Sequence, residues 1–247
     1  MPMRLRLPVL VSVLTLALAA CSPAPPGVEL WDPFEAENRA RHDENLAVDR
    51  LLTGGEGGGE LPGPLRRGSQ NFAANAGGPA DTLNYVLQGR PGLAVETTFR
   101  FLLNSTLGLG GLFDFASALG LEGRRTDFGE TLHVWGAPEG AYVVLPFLGP
   151  STERDTLGMI VDFAIDPLNA LSPARLRNRA VGARTGTRAL ARIGDRAEYS
   201  EMFEALIGRS ADSYAQARLL YLQNRRFRLE GAARIDDFDP YEDLYGD

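Results

Sequence analysis

The chain has 247 residues, 25 basic and 32 acidic, with a formal net charge of −7 and 44% hydrophobic residues. That acidity argues against nucleic acid as a partner. Cys21 is the sole cysteine and there are two histidines, which excludes an internal disulfide and a Cys/His metal cluster.

Residues 1–20 have the pattern of a signal peptide: Arg4 and Arg6 are basic, and Leu7 to Ala20 is apolar apart from Ser12 and Thr15. The apolar core is too short to span a bilayer, which takes about 20 residues. It ends Leu18-Ala19-Ala20-Cys21, which resembles the lipobox of bacterial lipoproteins; by that resemblance Cys21 is diacylated and becomes the mature N-terminus. Ser22, where aspartate would retain an enterobacterial lipoprotein at the inner membrane, favours the outer membrane. Residues 21–30, with three prolines and a glycine, form a tether between lipid and domain.

In WDPFEAENRARHDENLAVDRLL, Asp32 suits a helix cap and Pro33 the first helical position. The predicted helix runs to about Leu52, with Asn38 and Asn45 on a poorly apolar face and expected to bond neighbouring backbone. Residues 53–63 lie in a glycine-rich run without the Lys-Ser/Thr of a phosphate loop, which predicts a flexible linker. Pro64 and Pro79 each suit a helix start, Gly89 a stop, and Pro91 opens a helix ending near Thr106. Gly111 to Leu119 is a further candidate, with Leu112, Phe115, Ala116 and Leu119 on one face and Gly120 as its stop.

The stretch FRFLLNSTLGLGGLFDFASALGL, residues 99–121, carries only two charges, Arg100 and Asp114. Its glycines break it too often for a spanning helix. Short helices that are apolar around most of their circumference lie in a core or in lipid.

Thr131 to Pro146 alternates around Gly-Ala-Pro-Glu-Gly, a hairpin signal. Thr152 and Asp155 have capping spacing for a helix that ends before Pro167 and gathers Leu157, Ile160, Val161 and Ala164. Residues 175–196 hold seven arginines, with Arg184, Arg188 and Arg192 on one helical face, the pattern of a basic amphipathic helix on anionic headgroups or of a solvated charged face. A last helix covers about 211–230, and residues 231–247 form an acidic tail expected to be disordered. No GxSxG elbow and no cofactor or metal motif appears.

The runs DPFEAENRA (32–40), LPGPLRRGSQNFAAN (61–75), LNYVLQG (83–89), RFLLNSTLGLGGLFD (100–114), DFGETLHVWGAPEGAYVVLPFLGPSTERD (127–155) and YAQARLLYLQNRR (214–226) resemble the MlaA (VacJ) family of outer-membrane lipoproteins. The resemblance covers about residues 31–230. It implies a mainly α fold: a ring-like bundle of short amphipathic helices with one hairpin-like loop, seated on the periplasmic side of the outer membrane. It implies a phospholipid channel, without enzymatic activity or cofactor, that removes mislocalised phospholipid from the outer leaflet. The partners it implies are a trimeric porin and a soluble periplasmic lipid carrier. On this reading Asp127, Phe128, Gly129, Trp135, Gly136, Gly140 and Tyr142 belong to the channel or its lip. Phe101, Leu107, Leu109, Leu112, Phe113 and Phe115 face the membrane, and Arg184, Arg188 and Arg192 face headgroups. The chain departs from the family pattern at the glycine linker and at His42 and Glu44, where aromatic residues are usual. The alternatives are a structural lipoprotein bracing a porin and a lipid hydrolase.

Overall fold

A computed structural model describes residues 24–28, 30–53, 62–166, 205, 207 and 209–236. Cys21, residues 54–61, Arg184, Arg188, Arg192 and residues 237–247 lie outside them. The fold is mainly helical: α1 (Glu35–Thr53), α2 (Gly63–Leu87), α3 (Pro91–Thr106), α4 (Phe115–Ala118), α5 (Phe128–Val134), β1 (Tyr142–Leu145), β2 (Gly149–Thr152), α6 (Glu153–Ile165) and α7 (Ser213–Asp236). Among the described residues no helix is long and apolar enough to cross a membrane.

α1 is tied to β1 by its asparagines, as their spacing suggests. The Asn38 side chain donates to Tyr142 O (3.0 Å) and accepts from Val144 N (2.8 Å). The Asn45 side chain donates to Leu145 O (2.9 Å) and accepts from Phe147 N (2.7 Å). Seven helical residues rise about 10.5 Å, and three strand residues about 10 Å, so two carboxamides two turns apart satisfy the open edge of β1. Asp32 does not cap α1. It accepts instead from Asn38 (2.9 Å), from Arg218 (2.6 Å) and from the Tyr214 hydroxyl.

The hairpin sits further along the chain than the alternation predicts. Residues 128–134 form α5, because Asp127 caps it by accepting from Glu130 N (2.8 Å). The strands are β1 and β2, antiparallel with Tyr142 opposite Thr152 and Leu145 opposite Gly149. Pro79 lies inside α2 rather than starting a helix. α4 is shorter than predicted: Leu109, Gly110 and Gly111 are all left-handed (φ 52, 75 and 96°), and the helix begins only after the Asp114 cap. A side chain at Gly111 would meet Asn75 at 2.6 Å, so the turn closes onto α2. Ala116 is buried while Leu112, Phe115 and Leu119 are exposed, so these four do not share a face. Gly120 does end the helix (φ 81°).

Polar and charged side chains take a large share of the interior beside an apolar core that includes Phe128, Leu132 and Tyr142. Ser69, Asn75, Asp81, Asn84 and Gln88 are buried on and just after α2, Thr97 and Asn104 on α3, and Arg154 and Asp155 on α6. Outward stand Val95, Phe99 and Leu102 on α3, Leu107, Leu109, Leu112, Phe113 and Phe115 beyond it, and Ile160 and Phe163 on α6. The predicted α6 stripe of Leu157, Ile160, Val161 and Ala164 is therefore not the buried one; Arg154, Asp155 and Gly158 are. A small aromatic cluster of Tyr142, Val144, Tyr214 and Leu222, with Tyr221 against it, joins the sheet to α7.

Candidate functional site

The polar interior is built as hydrogen-bonded networks rather than isolated groups. Its centre is Arg225 of α7. Its Nη1 and Nη2 donate to the two Asp127 oxygens (2.7 Å each), while Nε and Nη2 donate to Asp155 (3.0 and 2.8 Å). The Tyr221 hydroxyl donates to Asp155 at 2.7 Å. One cation thus locks the cap of α5 to the start of α6 and both to α7. Burial works against ionising Asp127, but the Arg225 hydrogen bonds and charge outweigh it and hold its pKa below the usual carboxylate value. Burial also opposes the charge on Arg225, yet the two carboxylates keep it firmly protonated. Burial, and then the Asp155 charge, push the Tyr221 hydroxyl well up.

A second network lines α2 where it meets α5. Arg90 forms a buried ion pair with Glu130 (2.7 Å) and donates to Gln88 (2.8 Å). Gln88 donates to Thr126 (2.7 Å) and Thr131 (3.0 Å), and Thr131 donates to Asn84 (2.9 Å). Asn84 donates to Asp162 (2.7 Å), which also accepts from Phe128 N (2.9 Å). Such networks stabilise only when their members are satisfied, and every link here is within hydrogen-bond range.

α5 and α6 touch backbone to backbone. A Cβ on Gly158 would fall 2.3 Å from Gly129 N, so no larger residue fits the crossing. Beyond α5, Gly136 and Gly140 are left-handed (φ 86 and 76°) and bracket the loop to β1. Glu139 in that loop pairs with Arg226 of α7 (2.8 Å). Trp135 is half exposed, donates to Leu87 O (3.1 Å) and packs edge-on against Phe128. His133 is exposed beside Arg154, and burial together with the Arg154 charge lowers its pKa, so its imidazole is neutral at pH 7. His42 is buried, 3.1 Å from the Ser213 hydroxyl, and burial also lowers its pKa.

Of the residues assigned from sequence to the channel, half-buried Asp127 and buried Phe128 and Gly129 stand together at the start of α5, Tyr142 is buried in the cluster with Tyr214 and Leu222, and Gly140 is buried beside Glu153. Trp135 and Gly136 lie at its edge. Leu107, Leu109, Leu112, Phe113 and Phe115 are exposed on one continuous segment, whereas Phe101 is half-buried with its Cβ against Gly78. Sequence reasoning missed Asn84, Gln88, Arg90, Glu130, Asp155 and Arg225. A signal for part of this set exists: Gly77, Asp81, Asn84 and Gln88 recur at i+4, i+3 and i+4, a stripe of small and polar residues along α2 and its C-cap.

The exposed apolar side chains of residues 99–119 form a patch of the kind that marks an interaction surface. The chain belongs to the MlaA lipoprotein family, whose model matches residues 30–228. It is 33% identical over 236 residues to "Intermembrane phospholipid transport system lipoprotein MlaA" of Escherichia coli K12, covering 93% of this chain and 90% of that one. It is 36% identical over 154 residues to an uncharacterized protein of Rickettsia typhi, where the match spans 57% of this chain and 58% of the relative. A solved structure described as "Structural basis for maintenance of bacterial outer membrane lipid asymmetry" superposes with a TM-score of 0.61 at 28% identity, covering 80% of this chain and 98% of the other.

Proposed function

We propose that this chain is an outer-membrane lipoprotein, anchored through acylated Cys21 on the periplasmic side, that conducts phospholipids out of the outer leaflet and so maintains lipid asymmetry. The relatives named as phospholipid transport lipoproteins support the transport role. The observation that carries the reading is the pairing of buried networks of charged and amide side chains with a run of large apolar side chains on the outside. A phospholipid crosses a bilayer slowly because its headgroup must shed water. A polar passage with an apolar outer wall lowers that barrier with no bond made or broken.

In this reading residues 99–121 are outer wall, half-inserted in the leaflet. The Gly136–Gly140 loop is a lip of the passage, and Arg184, Arg188 and Arg192 rest on headgroups. A trimeric porin and a soluble periplasmic carrier are the partners on either side of the transfer.

The test is purification of the full acylated chain in detergent, followed by mass spectrometry of what remains bound. Co-purifying phospholipid is expected. A porin recovered with no phospholipid would replace the conduit with a bracing lipoprotein, and fatty-acid release that depends on His133 would replace it with a hydrolase.

A further inference from the structure

One buried cation has no role in the networks above. Arg154, the second residue of α6, has a side chain only 3% exposed. Its Nε and Nη2 make no hydrogen bond. Its third nitrogen, Nη1, has only a long contact, 3.5 Å from His133 Nδ1. Asp155 Oδ1 lies 3.5 Å from Nε, but both Asp155 oxygens are already taken, by Arg225 and by the Tyr221 hydroxyl. Three guanidinium groups (Arg154, Arg225 and Arg228) therefore share two carboxylates, Asp127 and Asp155. The neighbouring Arg226 is balanced by Glu139. A buried guanidinium held only by one long, shared ion pair is costly, and donors left without a hydrogen bond call for a partner.

The identity of the two unfilled atoms matters. Nε–H and Nη2–H are the parallel donors along one edge of a guanidinium, the edge that takes two oxygens of a phosphate or carboxylate side by side. The opposite edge meets His133, which is exposed, so Arg154 lies one side chain below the surface. The Arg154 main-chain N–H bonds Glu139 O (3.3 Å), inside the loop bracketed by the left-handed Gly136 and Gly140. A neutral His133 adds no competing positive charge at that entry.

We propose that Arg154 is the phosphate-recognising residue of the interior: its buried Nε/Nη2 edge, free of hydrogen bonds, takes two non-bridging oxygens of a phospholipid's phosphodiester. This rests on the conduit reading above and adds to it a specific contact for the headgroup. A phosphodiester carries one negative charge, which matches the one guanidinium in excess over the carboxylates of this cluster. The recognition is common to all phosphodiester lipids and independent of the headgroup alcohol.

The experiment uses the full acylated chain in a phosphate-free detergent, as wild type, Arg154→Met and Arg154→Lys. Binding of dihexanoyl-phosphatidylglycerol and of inorganic phosphate is titrated, with the nitrogen-15 signal of Arg154 Nε followed in the wild type and thermal unfolding recorded for each protein. Arg154→Met is expected to melt within a few degrees of wild type, because it removes an unsatisfied charge, and to bind the lipid at least tenfold more weakly. Arg154→Lys keeps the charge but not the fork and is expected to fall between them. The Nε signal is expected to shift with the lipid and not with phosphate at equal concentration. An equal shift with phosphate would overturn the headgroup assignment in favour of a free-phosphate site. Unchanged lipid binding in a folded Arg154→Met, or in Arg154→Lys together with a stationary Nε signal if the methionine variant does not fold, would overturn the proposal and leave the conduit standing. Absence of lipid binding by the wild type would overturn both.

Discussion

Replacing Arg225 with methionine tests whether the polar interior is a structural element. Arg225 makes four hydrogen bonds of 2.7 to 3.0 Å to two carboxylates, and its own side chain is almost fully buried. Four charge-assisted bonds are not additive, and the better guide is removal of one member of a buried ion pair, about 3–5 kcal/mol. For a domain of this size 1 kcal/mol shifts the melting temperature by about 2–4 °C, so the expected loss is about 6–20 °C. The pH dependence has a definite sign. Asp127 is held below its ordinary value of 3.8, so the stability it contributes is present at neutral pH and is lost as pH falls through the carboxylate range. Without Arg225, burial of Asp127 is no longer offset and its pKa rises. The variant's deficit is therefore largest near pH 8 and shrinks toward pH 5, where protonation spares a buried charge. Circular-dichroism melts in a non-ionic detergent at pH 8, 7, 6 and 5 read this directly. Adding Asp127→Asn to Arg225→Met should cost less than the two single losses combined. A loss under 3 °C at pH 8, or a deficit that does not change with pH, would refute the reasoning.

Three further outcomes follow from the same geometry. Asn38→Ala and Asn45→Ala each strip two hydrogen bonds from the edge of β1 and should cost about 1–3 kcal/mol, with Asn38 the larger because it is more buried; chemical denaturation in detergent checks the order. Gly158→Ala places a methyl 2.3 Å from Gly129 N and should lower the melting temperature by at least several degrees, or prevent folding, whereas alanine at the uncrowded Gly63 should do neither. In an unacylated Cys21→Ser background, serine at Phe99, Leu102 and Phe113 should abolish flotation with phospholipid vesicles while far-UV circular dichroism stays unchanged. Phe99 and Phe113 are 58% and 61% exposed, leaving on the order of 100 Å² each, or about 2.5 kcal/mol of membrane affinity per ring.

The helices were legible where local chemistry decides them. The Thr152 cap, the Gly120 stop and the start at Pro91 all stand where the sequence places them. The asparagines of α1 were legible because a carboxamide on a helix with little apolar face must bond something. Elsewhere local and tertiary terms disagree. Alternation at 131–146 reads as strand, but Asp127 and the tight Gly129–Gly158 contact commit 128–134 to a helix. An apolar stripe such as Leu157, Ile160, Val161 and Ala164 on α6 normally turns inward. In this molecule the rule inverts, and Arg154 and Asp155 occupy the buried side. Arg225 and Glu130 carry no local signal, and only the fold brings each to its partner.

The most direct measurement is phospholipid in the outer leaflet of cells lacking this gene, labelled with a membrane-impermeant amine reagent and complemented with wild type or with the vesicle-detached triple variant. The account predicts that wild type lowers labelled phosphatidylethanolamine to the parental level and that the triple variant does not. Labelling that stays high with wild type, or that falls equally with both, would contradict a leaflet-embedded passage for lipid.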